Sequence, residues 1–191
     1  MLGALSVALM FIRFPLPFAP SFMEFDISEM PALFAAFFIG PAGGAAVVVI
    51  KIILKLIIQG TNTAFIGDIS NLTGSLVFVL VAAFIYKRNK TKKGAVVAII
   101  ISTLIVSLFY VVSNAYVMFP LYGKLYGMST EAMVGMGTAV NPLVKDMVSL
   151  MFFSVFPFNI VKYGVTSLIT FLLYKKVGTA LRNLMAKRAG K

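Results

Sequence analysis

The clearest indication of the architecture is the segment Gly94-Ala-Val-Val-Ala-Ile-Ile-Ile-Ser-Thr-Leu-Ile-Val-Ser-Leu-Phe-Tyr-Val-Val-Ser-Asn-Ala-Tyr-Val-Met-Phe119, which contains no charged residue. Directly before it lies Lys87-Arg-Asn-Lys-Thr-Lys-Lys93, which carries five basic side chains. A helix needs roughly 20 apolar residues to cross the hydrocarbon core of a bilayer, which is about 30 Å thick. An uncharged segment of this length beside a basic loop therefore predicts a helix that crosses a membrane.

The composition extends this interpretation to the whole chain of 191 residues. Apolar residues make up 60% of the chain and charged residues 12%, whereas soluble domains contain roughly 45–50% and about 25%. The apolar residues also occur in long runs, which a soluble core does not require. We expect an all-α integral membrane protein with a single membrane domain over residues 1–191.

Breaks in the apolar runs divide the chain into six predicted transmembrane helices. Pro15 and Pro17 end the first run, the pair Gly40-Pro41 separates the second from the third, and Gly60 precedes the fourth, because such residues interrupt helices. We expect the first helix to be retained, since no basic region precedes it and no small-residue cleavage site follows it. A Gly- and Met-rich segment links the fifth and sixth helices. The predicted helices cover about residues 1–14, 29–40, 42–58, 69–86, 94–119 and 147–174, followed by a basic tail at 175–191.

The positions of the charges predict the orientation of these helices. Five basic residues lie at 87–93 and six lie in the tail, and cytoplasmic loops are enriched in Lys and Arg. Two predicted helices separate the clusters, so both clusters are expected on the cytoplasmic side. Counting back four helices from Lys87 makes the N-terminus cytoplasmic as well and leaves all six acidic residues at the outer side. The prediction is a multi-pass protein of a bacterial-type cell membrane with both termini cytoplasmic.

Composition also limits the chemistry available to the chain. Cys and His are absent, which removes thiolate and imidazole metal ligands, cysteine nucleophiles and histidine bases. The six acidic residues show no paired spacing of the kind used in acid–base catalysis. We therefore expect no enzyme activity, no metal site and no cofactor. The formal net charge of +11 is attributed to cytoplasmic anchoring, so no nucleic-acid partner is expected.

Polar side chains inside the predicted helices are costly in hydrocarbon and usually face a cavity or a neighbouring helix. Lys51 and Lys55 lie four residues apart and therefore share one helix face. Lys55 is expected to extend its ammonium to the membrane surface; for the deeper Lys51, the surface and a cavity are both possible. Asn71 and Asn114 either bridge helices or face a cavity, because amide side chains do both.

The segment Phe156-Pro-Phe-Asn-Ile-Val-Lys162 combines a helix breaker with two polar residues. Pro157 removes a backbone donor, and Asn159 and Lys162 are three residues apart on one face beside that break. At about 1.5 Å per residue, Lys162 lies roughly 20 Å from the basic tail, beyond the reach of its side chain to the inner surface. A kink with a satisfied polar pair explains Pro157 and Asn159 but not Lys162, so we favour a binding cavity.

Several motifs of this chain occur in the order and spacing of a known family. They are Phe14-Pro-Leu-Pro-Phe18, Phe25-Asp-Ile-Ser28 with Pro31, Gly40-Pro41, the helix containing Lys51, Asn71, Asn114 followed by Pro120-Leu-Tyr122, and Pro157-Phe-Asn159 with Lys162. From Ala4 to about Tyr174 the chain resembles the riboflavin-specific S component of energy-coupling-factor (ECF) vitamin transporters. The resemblance implies a six-helix membrane subunit that captures riboflavin with high affinity outside. Delivery inward then requires a transmembrane T subunit and two cytoplasmic ATPases.

The resemblance also implies a binding site and a docking face. An Asn amide has a donor and an acceptor and a Lys ammonium adds donors, which matches the acceptor, donor and acceptor of the flavin pyrimidine edge. Polar residues at the outer surface, including the loop at 61–63, are expected near the ribityl chain, and small residues allow close helix approach to the T subunit. The implied riboflavin-binding residues are Asn114, Asn159, Lys162, Asp26, Phe25, Ser28, Lys51 and Asn71, and the implied docking residues are Ala4 and Ala8.

Other functions remain as alternatives at this point. An S component for another vitamin, such as thiamine or pantothenate, is the nearest alternative. A channel or a structural helix bundle without a ligand is the next, and saturable one-to-one flavin binding would distinguish it. A membrane enzyme is disfavoured by the scattered acids and the absence of His.

The predicted orientation can be tested by cysteine labelling, since the chain has no native Cys. A cysteine at Asn89, in the basic loop, is expected to be shielded from an impermeant thiol reagent in intact cells. A cysteine at Asn62 is expected to react, because it lies in a loop on the other side. Labelling of the Asn89 site from outside would contradict the orientation.

Overall fold

The computed structural model describes residues 1–189, and the side chains of residues 175–177 and 179–189 lie outside that description. The first half of the chain contains four helices and two strands of two residues each. The strands pair antiparallel, with Phe14 opposite Phe25. In chain order the elements are α1 Leu2–Phe11, β1 Phe14–Pro15, β2 Glu24–Phe25, α2 Met30–Phe38, α3 Pro41–Gln59 and α4 Ile66–Arg88.

The second half consists of two long helical rods with a short helix between them. Each rod is a run of consecutive helices that contains one π-helical turn. The first rod comprises α5 Lys92–Ser113, a π-helical turn Asn114–Met118 and α6 Phe119–Tyr126. The short helix is α7 Thr130–Thr138, and the second rod comprises α8 Met147–Leu150, a π-helical turn Met151–Val155 and α9 Phe156–Ala189. The reciprocal hydrogen bonds of Asp146 and Ser149 cap the start of the second rod.

At two places the helices extend beyond the approximate bounds expected from the sequence. The fifth helix does not stop at Phe119, because Pro120 lies in the first turn of α6, where a missing N–H costs little. The segment after it is helical at Phe119–Tyr126 and again at Thr130–Thr138. The last helix likewise continues past Tyr174 to Ala189, through most of the predicted basic tail; residues 190 and 191 lie outside the described residues.

The all-α fold class is confirmed, and the chain is a multi-pass membrane protein. Among the described residues, four helical segments are long and apolar enough to cross a membrane. They are Pro41–Gln59, Ile66–Arg88, Lys92–Tyr126 and Met147–Tyr174. Helix α1 is apolar but has only 10 residues, and α2 has 9.

Helix α2 is surrounded by other helices, because it contacts α1, α3, α4 and α9. Its small residues permit this, as Ala32 and Ala35 are fully buried. Gly44 of α3 allows the same close approach, since a Cβ atom there would lie 2.8 Å from the Cβ of Ala36. The N-terminal end of this enclosed helix carries Glu29, whose side chain is consequently buried as well.

Candidate ligand-binding cavity

A cavity of about 240 Å³ lies at the end of the bundle opposite the basic loop at 87–93. Its wall combines the C-terminal parts of α3 and α5 with the N-terminal parts of α4 and α9, closed by the segment between α1 and α2. Both polar and aromatic side chains contribute. The residues on the wall are Met10, Arg13, Phe22, Met23, Glu24, Asp26, Lys55, Gln59, Asn62, Thr63, Gly67, Asp68, Ser70, Asn71, Tyr110, Asn114, Met118, Phe119, Tyr122, Val155, Phe158, Asn159 and Lys162.

The structure brings five of the eight sequence-predicted binding residues to this wall, and they are Asp26, Asn71, Asn114, Asn159 and Lys162. The other three lie behind it. Phe25 packs with its ring centroid 5.3 Å from that of Phe14, in a cluster that includes Phe158 of the wall. Ser28 and Lys51 are both fully buried next to Glu29.

Lys162 of α9 forms a buried ion pair with Asp26 of the segment between α1 and α2. The Nζ of Lys162 lies 2.7 Å from Oδ2 of Asp26 and 3.4 Å from the carbonyl oxygen of Glu24. Burial disfavours the charged carboxylate, but Lys162 and Lys51 nearby, with hydrogen bonds from Lys162 and Ser28, outweigh burial and lower the pKa of Asp26 to about 2. A Lys ammonium has three donors, so one donor of Lys162 is left for the cavity.

Lys55 corrects another expectation, because its ammonium does not extend to the membrane surface. Its Nζ lies 2.6 Å from Oδ1 of Asp68 on α4 and 2.8 Å from the carbonyl oxygen of Gly60. The pair is on the cavity wall, and the lysine side chain is 9% exposed. In a low-dielectric surrounding, a carboxylate on the neighbouring helix is a strong partner for the ammonium.

A third buried ion pair lies between α2 and α3, behind the wall. The Nζ of Lys51 is 2.6 Å from Oε1 of Glu29, and both side chains are essentially inaccessible to water. Ser28, at the same end of α2, makes two further hydrogen bonds through its backbone. Its carbonyl oxygen accepts a hydrogen bond from the Ser6 hydroxyl of α1, and its N–H donates to Oδ1 of Asp26 at 2.8 Å.

The two asparagines at the widened helical turns have matching local geometry. The Nδ2 of Asn114 donates to the carbonyl oxygen of Tyr110 at 2.8 Å, and the Nδ2 of Asn159 donates to that of Val155 at 2.8 Å. Each bond spans four residues and fixes the amide plane relative to its own helix. A π-helical turn begins at Asn114 and another ends at Val155, and such turns are frequent at functional sites.

Several residues of the wall were not predicted from the sequence. The Tyr110 hydroxyl accepts from Tyr163 at 3.1 Å and donates to the carbonyl oxygen of Ser70 at 3.3 Å. A Cβ at Gly74 would lie 2.1 Å from the Tyr110 hydroxyl oxygen, so glycine leaves the space that the ring needs. Nothing in the local sequence marks Tyr110 among the chain's seven tyrosines. Lys55 carried a signal, since it shares a helix face with Lys51.

Comparison with known proteins assigns the chain to a family. The family described as "ECF transporter, substrate-specific component" matches residues 1–174. The chain belongs to this family. This S component is therefore part of a transporter and not an enzyme.

The S component is similar to two riboflavin transporters and to one solved structure over most of its length. It is 31% identical over 184 residues to the riboflavin transporter RibU of Staphylococcus aureus (strain TCH60). This match covers 96% of this chain and 90% of that protein. It is 28% identical over 178 residues to the riboflavin transporter FmnP of Bacillus subtilis (strain 168), with coverage of 93% and 88%. A solved structure of the S component of a bacterial ECF transporter has a TM-score of 0.72 and 29% identity, covering 95% of this chain and 93% of that chain.

The ion pair between Lys162 and Asp26 predicts how substitutions change the free energy of unfolding. Lys162→Met is expected to lower the free energy of unfolding by about 3–5 kcal/mol, because it leaves the Asp26 carboxylate buried without its partner. For a chain of this size that corresponds to a loss of roughly 6–20 °C in Tm. Changing Asp26→Asn together with Lys162→Met removes both charges and is expected to restore most of the loss.

Thermal unfolding of the purified variants in detergent measures both effects. Lys90→Met is the matched control, because Lys90 is exposed in the basic loop. Equal destabilisation by the single and the double variants would contradict the importance of the pair.

Proposed function

We propose that this S component binds riboflavin and is the substrate-capturing subunit of an ECF-type vitamin uptake transporter. The proposal rests above all on the presence of Asn114, Asn159 and Lys162 on one cavity wall. That wall belongs to a chain similar to two riboflavin transporters over most of its length. Riboflavin is here the transported substrate and not a cofactor.

The cavity offers the polar groups that the pyrimidine edge of riboflavin requires. That edge presents one N–H donor between two carbonyl acceptors, one on each side. Each asparagine amide has one acceptor oxygen and two N–H donors, and only one of those N–H groups donates to its own helix. One Oδ1 is thus available to accept from the flavin N–H, and the second N–H of an Nδ2 atom is available to donate to a flavin carbonyl oxygen. The remaining donor of Lys162 supplies a charge-assisted hydrogen bond to a carbonyl oxygen. The flat ring system is expected to lie against the aromatic residues of the wall, including Tyr110 and Phe158.

The other predicted binding residues support the proposal in two ways. Asp26 and Asn71, with Asn62 and Thr63 of the 61–63 loop, give the wall the polar groups that hydrogen-bond the hydroxyls of a ribityl chain. Phe25, Ser28 and Lys51 act from behind the wall, because each contacts a residue that lies on it or next to it. Phe25 supports Phe158, Ser28 supports Asp26, and Lys51 supports Asn71.

The proposed topology has six helices, with α1 and α2 completing the membrane domain beside the four longer segments. Both termini and the basic loop at 87–93 are cytoplasmic in this proposal, in accordance with the enrichment of cytoplasmic loops in Lys and Arg. The cavity then opens outside the cell, because it lies at the opposite end of the bundle. Capture of riboflavin from outside a bacterial-type cell membrane follows from that orientation.

Transport requires other subunits, since the sequence contains no Gly-rich phosphate loop followed by Lys and Ser or Thr. We propose that a T subunit and two ATPases supply the energy, and that the S component docks through α1. Ala4 and Ala8 are exposed one turn apart on this helix, whereas Gly3, Ser6 and Val7 are buried on its other face. The small outer face thus remains open to a partner helix in the membrane.

Riboflavin binding and its dependence on the wall form one test. The purified chain is expected to carry visible flavin colour and to bind riboflavin one-to-one in preference to thiamine or pantothenate. Asn159→Ala and Asn114→Ala are each expected to weaken binding by about 5- to 150-fold, because removing one partner leaves buried polar groups unpaired. Quenching of riboflavin fluorescence measures the affinity, with Asn89→Ala in the basic loop as the control. Saturable binding of thiamine or pantothenate without riboflavin would replace the proposed substrate.

Docking is tested by enlarging a small residue on α1. Ala8→Trp is expected to leave riboflavin binding intact while abolishing uptake and co-purification with the T subunit and ATPases. Ala46→Trp is the control, because Ala46 is an exposed alanine on α3. Retained uptake in the Ala8→Trp variant would remove this face from the interface. Joint loss of binding and stability would indicate internal packing instead.

A further inference from the structure

Lys51, which does not itself line the cavity, lies at the centre of a buried hydrogen-bond network. Its side chain has no accessible surface, and four acceptors surround its Nζ. Oε1 of Glu29 is at 2.6 Å, and Oγ of Ser28, Oδ1 of Asn71 and Oγ of Ser75 are each at 3.2 Å. One ammonium thereby connects the N-terminal end of α2 with α3 and α4.

Asn71 is the member of this network that also lies on the cavity wall. A Lys ammonium has donors and no acceptor, so only the oxygen of the Asn71 amide can face it. The single hydroxyl hydrogen of Ser75 lies between Oε1 of Glu29 at 2.6 Å and the same Oδ1 at 3.1 Å, so Lys51 is the group that fixes the orientation of the amide. The Nδ2 on the other branch of the amide has no hydrogen-bond partner among the described residues and remains for the cavity.

We propose that Lys51 is a positioning residue that fixes the amide of Asn71, so that Asn71 presents its Nδ2 donor to an acceptor oxygen of the ligand. The acceptor is a carbonyl or hydroxyl oxygen, and a group that only donates is rejected there. This inference rests on the proposed riboflavin site, where it adds a specificity-determining contact on α4 to those of Asn114, in the π-helical turn after α5, and Asn159 on α9. The effect of Lys51 on binding is then exerted through Asn71.

A double-mutant cycle separates this role from a general effect on folding, because coupling appears only between groups that interact. Lys51→Met and Glu29→Gln are introduced together, since neutral replacement of a whole buried pair is tolerated better than loss of one charge. Asn71→Ala is then measured in this background and in the otherwise unmodified chain. Asn159→Ala is the matched control, as it removes the same amide from the same cavity without contacting Lys51.

Riboflavin affinity of the purified chains, measured by fluorescence quenching, is the readout. In the unmodified chain, Asn71→Ala is expected to weaken binding by about 5- to 150-fold. In the charge-free background the same change is expected to weaken it by less than about threefold, because the amide is no longer held in one orientation. The effect of Asn159→Ala is expected to be equal in both backgrounds. An equal Asn71→Ala effect in both, or a parallel loss of both effects, overturns the proposal.

Asn71→Asp keeps the test decisive if the charge-free background does not fold. This change retains the oxygen that accepts from Lys51 and replaces the donor by a second oxygen, so the loss of affinity is expected to be at least that of Asn71→Ala. Unchanged riboflavin affinity in Asn71→Asp overturns the proposal alone. Absence of riboflavin binding by the unmodified chain overturns the proposed function together with it.

Discussion

A lysine ammonium inside a membrane bundle has no bulk water to solvate it, so its charge must be matched by the protein itself. Among the described side chains, three buried ammoniums each lie within 2.6 to 2.7 Å of a carboxylate oxygen. The pairs join α2 to α3, α3 to α4, and α9 to the segment after α1. At the cavity end of the bundle the helices are therefore joined by charge matching, whereas the main core is packed through apolar and aromatic residues.

The cavity itself depends on local departures from regular helix. The wider turns at Asn114–Met118 and Met151–Val155 each precede a proline in the first turn of the next helix. Proline lacks an N–H and crowds the preceding turn. Each rod therefore contains a π-helical turn just before its proline. Asn114 begins the first of these turns, and Asn159 donates to the last residue of the second, Val155. The backbone irregularity and the placement of the two amides thus have a common cause.

Much of this arrangement is encoded locally and was therefore predictable. Apolar runs located the long helices, and helical spacing beside Pro157 placed Asn159 and Lys162 on a single face. The partners of the lysines were not predictable, because Glu29, Asp26 and Asp68 pair with residues 22, 136 and 13 positions away. No local rule selects among six acidic residues. For the same reason the sequence did not reveal that Phe25, Ser28 and Lys51 lie behind the wall, since tertiary packing sets the direction of each side chain.

The separation of 136 residues between Asp26 and Lys162 has a consequence for biogenesis. A chain emerges from the ribosome N-terminal end first, so Asp26 enters the assembling bundle long before α9 is made. Glu29 and Lys51, by contrast, are 22 residues apart and meet as soon as α3 has been inserted. The Glu29–Lys51 pair thus precedes the Asp26–Lys162 pair. The wall of the cavity closes only when the last helix arrives, so an unfinished chain has no intact cavity.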